Sequence, residues 1–114
     1  MPNPYISGTG FFLPPRVVTN DDLSKHMDTT DEWIQERTGI KERCYVEMGV
    51  GSSDLAIPAT EQALKAANLK VGDIDFIIFA TSTPDFYAPG SGCLLQEKMG
   101  FNKIGALDIR VQCS

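Results

Sequence analysis

The sequence has little of what most metal, redox or nucleic-acid chemistry needs. Among its 114 residues are one histidine, one tryptophan and three cysteines, Cys44, Cys93 and Cys113, and no two cysteines form a Cys-x-x-Cys pair. An odd number of widely spaced thiols, with His26 as the only candidate nitrogen ligand, supports neither a disulfide framework nor a zinc site. Basic charge is also short: ten Lys plus Arg against fifteen Asp plus Glu leave a net charge of −5. That balance is a poor footing for binding phosphate backbones by counterion release, so nucleic acid is not an expected partner. The longest apolar run, Phe76-Ile77-Ile78-Phe79-Ala80, is too short to cross a bilayer, and no basic stretch precedes an apolar one near the start. The expectation is a soluble cytoplasmic protein with no membrane association and no metal.

What is present is an ordinary globular balance, 42% hydrophobic and 22% charged, in a length that suits one small domain over 1–114 or a piece of one. Tyr5 to Leu13 interleaves β-prone residues with glycines and stops at Pro14-Pro15, which predicts a strand breaking into a loop. Thr19-Asn20 can cap a short helix to about Met27. Thr30 can cap a second whose first turn carries Asp31 and Glu32, and Gly39 can terminate it. Ser52-Ser53-Asp54 opens a longer helix with Leu55, Ala59, Ala63, Ala66 and Ala67 on one face, small residues that predict close packing. Pro58 is awkward inside it, so the regular helix is expected to start nearer Ile57 or to bend there. After Val71-Gly72-Asp73, the run Ile74 to Ala80 predicts a strand covered on both faces. A loop through Phe86-Tyr87-Ala88 follows, then a helix from about Ser91 to Met99 ended by Gly100, then a strand from Ile104 to about Val111. The order β, α, α, α, β, α, β predicts an α/β protein with a largely parallel sheet and packed helices, whose chemistry gathers at the carboxyl ends of strands.

Four features could carry chemistry. Gly8-Thr9-Gly10 lacks the third glycine of a dinucleotide fingerprint, Leu13 standing in its place, and Pro89-Gly90-Ser91-Gly92 lacks the Lys-Ser/Thr of a phosphate loop. Neither is taken as a nucleotide motif. Trp33 and Arg37 are four residues apart and so share a helical face, where the indole can stack on a purine while the guanidinium engages phosphate. The competing reading packs Trp33 into the core beside Ile34, with Arg37 paired to Glu36 or solvent. Cys113 falls just past the last strand, where a following helix N-terminus would favour thiolate over a thiol whose ordinary pKa is about 8.5. An inert buried cysteine is the other reading, and from the pattern both stand. His26 has no partner at a useful spacing and is read as a surface or half-buried residue.

Ile6 to Gly10 with Leu13-Pro14, Val18 to Leu23, Thr29 to Arg43 (T-T-D-E-W-I-Q-E-R-T-G-I-K-E-R) and Ala106 to Ser114 together resemble the opening part of β-ketoacyl-acyl carrier protein synthase III, a condensing enzyme of the thiolase-like fold. The resemblance covers essentially the whole stretch. It implies the N-terminal part of the first half of such a fold, with a mixed or parallel sheet and packed helices. It further implies that Trp33 stacks on the adenine of coenzyme A, that Arg37, Thr29 and Thr38 line the same mouth, and that Cys113 takes the acyl group from an acyl-CoA. That group then passes to the carbanion left when malonyl-acyl carrier protein loses carbon dioxide. No cofactor is implied beyond the coenzyme A thioester itself. A homodimer is implied, with the Phe86-Tyr87-Ala88 loop near its interface. Val111-Gln112 precede the cysteine where relatives often carry small residues. Ala88 falls near a loop position that holds a large aromatic in some relatives, which implies tolerance of a primer longer or more branched than acetyl. The histidine and asparagine of the family's decarboxylation step belong to a later half outside this stretch, so the 114 residues alone are expected to be inactive.

Overall fold

The computed structural model describes residues 3–111. They fall into two compact units, one made of the N-terminal segment to Phe12 with the chain from Val50 onward, the other of Leu13–Gly49.

In Leu13–Gly49, strands β1 (Arg16–Thr19) and β2 (Glu42–Tyr45) pair antiparallel, with Val17 opposite Cys44 and Thr19 opposite Glu42. Helix α1 (Asn20–Ser24) follows β1 directly and is capped by Thr19, whose hydroxyl accepts from the Asp22 N–H while the Asp22 carboxylate accepts from the Thr19 N–H. It is shorter than the span to Met27 that the sequence predicts. Helix α2 (Asp31–Thr38) is capped by Thr30 and closed by Gly39 at φ 70°, a left-handed conformation that glycine takes without steric cost. Strand β2 escapes the sequence pattern because Glu42-Arg43-Cys44-Tyr45 shows no apolar alternation. Its ladder to β1 is the only thing that defines it.

The second unit holds helix α3 (Ser52–Ala67), strand β3 (Phe76–Ala80), helix α4 (Ser91–Met99) and strand β4 (Gly105–Ile109). Strands β3 and β4 are parallel, Phe76 opposite Gly105 and Ala80 opposite Ile109, and α4 connects them and packs on both. A single turn of 3-10 helix, Val71–Asp73, precedes β3, so that strand starts two residues later than the apolar run. Helix α3 runs through Pro58 from Ser52 onward rather than starting near Ile57.

Two further expectations are corrected. Tyr5 to Leu13 forms no strand ladder; the segment is used instead for close approach to α3. A Cβ on Gly8 would collide with the Ala63 carbonyl and fall 2.9 Å from the Ala67 Cβ, and one on Gly10 would meet the Ala59 carbonyl. The small-residue face of α3 thus receives the glycine segment, although Ala66 is exposed. Nor is β3 covered on both faces: Ile77 is buried on the side of α4 and Leu95, whereas Phe76, Ile78 (64% exposed) and Leu107 lie open on the other. Alternation along a strand puts those residues on one face, and in the described residues that face is bare.

Candidate functional site

Asn20, almost completely buried, builds the support for α2. Its Nδ2 donates to Asp31 Oδ1 and to the Ile40 carbonyl, both at 2.7 Å, and its Oδ1 accepts from Arg43 Nη2 at 2.5 Å. Arg43 Nη1 also donates to the Val18 carbonyl at 3.1 Å. One amide therefore ties together the start of α2, the turn after it and strands β1 and β2. A fully partnered buried amide fixes geometry, because losing any partner leaves a desolvated group unsatisfied.

On the helix so held, Trp33 is 53% exposed and the Arg37 guanidinium lies 4.8 Å from the centroid of its ring. Core packing of Trp33 is excluded; its neighbour Ile34 takes the buried position. The indole lines an open groove of about 530 Å³ with Met27, Asp28, Thr29 and Thr30. The Thr30 hydroxyl is committed, since it accepts from the Trp33 N–H at 3.1 Å as the helix cap. The Thr29 hydroxyl is buried and has no hydrogen-bond partner. A desolvated hydroxyl without a partner costs stability, and it marks a place where a ligand's polar atom would be welcome.

The structure thus brings Thr29, Trp33 and Arg37 together. Thr38 stands apart: its hydroxyl donates to the Ile34 carbonyl at 2.7 Å and accepts from the Ile40 N–H at 3.1 Å, closing the end of α2. Met27 and Asp28 were not singled out from the sequence. Only the turn between α1 and α2, where the Met27 and His26 N–H groups bond back to the Leu23 carbonyl, brings them to the groove. Cys113 lies outside the described residues. His26 is not among the residues that line the groove.

An exposed ring with a cation over it, beside an open groove, suits a ligand with a flat heteroaromatic end and an anionic group nearby. No protein-family model matches the chain. Over 109 residues, 96% of this chain and 34% of its relative, the sequence is 48% identical to a β-ketoacyl-[acyl-carrier-protein] synthase III of Xylella fastidiosa. The solved 3-oxoacyl-[acyl-carrier-protein] synthase III of Aquifex aeolicus superposes with a TM-score of 0.84 at 44% identity, over 91% of this chain and 33% of that one. The priming β-ketosynthase of the R1128 polyketide pathway reaches the same TM-score, 0.84, at 28% identity, over 91% of this chain and 31% of that one.

The chain has the fold of the thiolase-like condensing enzymes. Within that class its sequence is similar to the opening part of β-ketoacyl-[acyl-carrier-protein] synthase III enzymes, and it spans about one third of the length of the relatives it matches. Among the described residues no helix is long and apolar enough to cross a membrane.

Proposed function

We propose that this chain is the nucleotide-gripping and nucleophile-bearing part of an initiating acyltransferase, which condenses an acyl-CoA primer with malonyl-acyl carrier protein to start a fatty acid. The observation that carries the reading is an exposed indole that lines an open groove together with Thr29 and carries the Arg37 guanidinium over its ring. Adenine would stack on the free face of Trp33. Arg37 would swing from over the ring to a phosphate, and the Thr29 hydroxyl would gain its missing partner. Asp28 in the same wall would repel a phosphate placed beside it and accept from a ribose hydroxyl instead. Thr38 would act through the end of α2, its hydroxyl being already used.

At the other end of the thioester, the Cys113 thiolate would attack the carbonyl carbon, with the oxyanion held by backbone N–H groups including its own, and coenzyme A would leave as thiolate. Exchange of one thioester for another is nearly balanced in free energy. Malonyl-acyl carrier protein then loses carbon dioxide, and the resulting carbanion attacks the acyl-enzyme, expels the Cys113 thiolate and leaves a 3-oxoacyl-acyl carrier protein. The thioester is itself the activated group, so the chemistry asks for no resident cofactor. The whole of 1–114 would form part of one thiolase-like domain in a cytoplasmic homodimer, and Ala88 would leave room for a primer longer or more branched than acetyl.

The polyketide neighbour supports a second reading, priming of a secondary-metabolite chain, at a lower identity than the fatty-acid relatives. Incubating the complete enzyme with radiolabelled acetyl-CoA tests the proposal. Label should stay on the wild type after denaturation, be absent from Cys113→Ala, and be discharged into a 3-oxoacyl product by malonyl-acyl carrier protein. Coenzyme A binding without any covalent label would instead assign a non-catalytic binding domain.

A further inference from the structure

Helix α2 is a short element that carries both Trp33 and Arg37. It has eight residues, of which only Ile34 is buried. Helices under about 12 residues are held in place mainly by what they pack against, and one buried side chain is a weak restraint on tilt. Polar bonds at the two ends of α2 supply the rest. At its first residue, Asp31 Oδ1 accepts from Asn20 Nδ2 at 2.7 Å and Oδ2 accepts from Gln35 Nε2 at 2.6 Å, so both carboxylate oxygens are used. Past its last residue, the Ile40 carbonyl accepts from the same Asn20 amide at 2.7 Å.

Behind Asn20 stands Arg43, on β2. Among the described residues Arg43 forms no ion pair; its Nη2 donates to Asn20 Oδ1 and its Nη1 to the carbonyl of Val18, the residue opposite it in the β1–β2 ladder. The Asn20 amide therefore stands between a cation and an anion, accepting from Arg43 and donating to Asp31, and hydrogen bonds in such a chain polarise one another. A guanidinium donates from a planar fork, so two of its N–H groups fix the orientation of that amide as well as its distance, which a lysine ammonium cannot do. The fork is mounted on a paired strand, so the restraint on α2 is tied to the sheet of its own unit.

Trp33 and Arg37 belong to one helix, and their separation survives a tilt of it. The relation of Trp33 to Met27, Asp28 and Thr29, which line the groove from the turn before the helix, does not. We infer that Arg43 is a positioning residue for the nucleotide end of the substrate: through Asn20 and Asp31 it fixes the first turn of α2, and with it the angle at which Trp33 meets the groove. This deepens the acyl-CoA reading given above and rests on it. Loosening α2 weakens the hold on a thioester that carries the nucleotide and leaves the chemical step alone.

In the complete enzyme, Arg43→Met keeps the apolar stem and removes both donors. KM for acetyl-CoA should rise about fivefold. The turnover number, and KM for acetyl-pantetheine, a thioester without the nucleotide, should stay within about twofold of wild type. Arg43→Lys, able to serve one of the two oxygens, should recover part of the loss. If Arg43→Met does not fold, an exchange of charge decides the matter. Asn20→Asp sets a second carboxylate against Asp31 and should raise KM for acetyl-CoA alone; adding Asp31→Asn returns an amide N–H to that contact and should lower it again. Equal changes for both thioesters, or an unchanged KM for acetyl-CoA in every folded variant, overturn the inference. If Trp33→Ala leaves KM for acetyl-CoA unchanged, the nucleotide reading of the groove fails instead.

Discussion

The two units of this chain solve the same difficulty in different ways. Each has few buried apolar side chains, Val18 and Ile34 in one, Ile77 and Leu95 in the other, and each relies on a buried polar hub. In Leu13–Gly49 the hub is the neutral Asn20 amide, donating on one side to Asp31 and the Ile40 carbonyl and accepting on the other from Arg43. In the other unit it is the Asp85 carboxylate, fed by two serines and a helix N–H. An amide balances donors and acceptors without itself titrating. A carboxylate accepts more strongly, but only while ionised.

The largest expected effect comes from breaking the amide hub. Asn20→Ala leaves the Arg43 guanidinium and the Ile40 carbonyl short of a buried partner, which should destabilise by about 2–3 kcal/mol in urea unfolding. Because Asn20 also holds the start of α2, the same variant should lose coenzyme A affinity. A loss of stability below about 0.5 kcal/mol would show that the amide is not the organising group.

Acid separates the two hubs more finely. Burial pushes the Asp85 carboxyl up, but hydrogen bonds from Ser91 and from the N–H and hydroxyl of Ser53 outweigh it and hold the group below its ordinary range. The Asp54 carboxyl is lowered too, chiefly by Lys98 Nζ at 2.6 Å and then by the Gly51 N–H. A pKa depressed by folding contributes stability that is present above the unfolded value, about 3.9 for aspartate, and is lost as pH falls through the folded value. Melting temperature should therefore drop below about pH 4, and Asp85→Asn, already less stable at neutral pH, should converge on the wild type there. A constant gap between the two at all pH values would remove Asp85 from the acid response.

The smallest effect should be at the surface. Lys25 and Asp22 form an exposed pair at 2.8 Å, and its proximity to Lys25 chiefly lowers the Asp22 carboxyl. Solvent screens such a pair. Lys25→Ala should leave the melting temperature unchanged within error, and a clear drop would mean that α1 is a tighter part of its unit than Asn20 alone makes it.

The parts of this structure that are legible in the sequence are the ones governed by local chemistry. The Thr19 and Thr30 caps, the Gly39 and Gly100 terminators and the Ser91–Met99 helix follow from the preferences of single residues. So does the shared face of Trp33 and Arg37, although sequence alone left open a buried tryptophan that the groove excludes. What escaped is set by partners distant along the chain. Strand β2 exists only through β1, and the Gly8–Gly10 segment forms no ladder, its glycines lying against α3. Only part of the capping of α3 and α4 is local, the Asp54 carboxylate on the Gly51 N–H; the carboxylates on the Ser53 and Ser91 N–H groups arrive from Asp85 and Asp108. An aspartate in a loop looks like an ordinary turn residue until the fold brings two serines to it.

Trp33→Ala in the complete enzyme tests most directly the proposed division of labour between the nucleotide face and the acyl end. With the stacking plate gone, worth about 1–3 kcal/mol per base, KM for acetyl-CoA should rise at least fivefold. KM for acetyl-pantetheine, which has the thioester but no nucleotide, should not move. Equal changes for both thioesters, or no change for either, would contradict the assignment of Trp33 and its groove to the nucleotide.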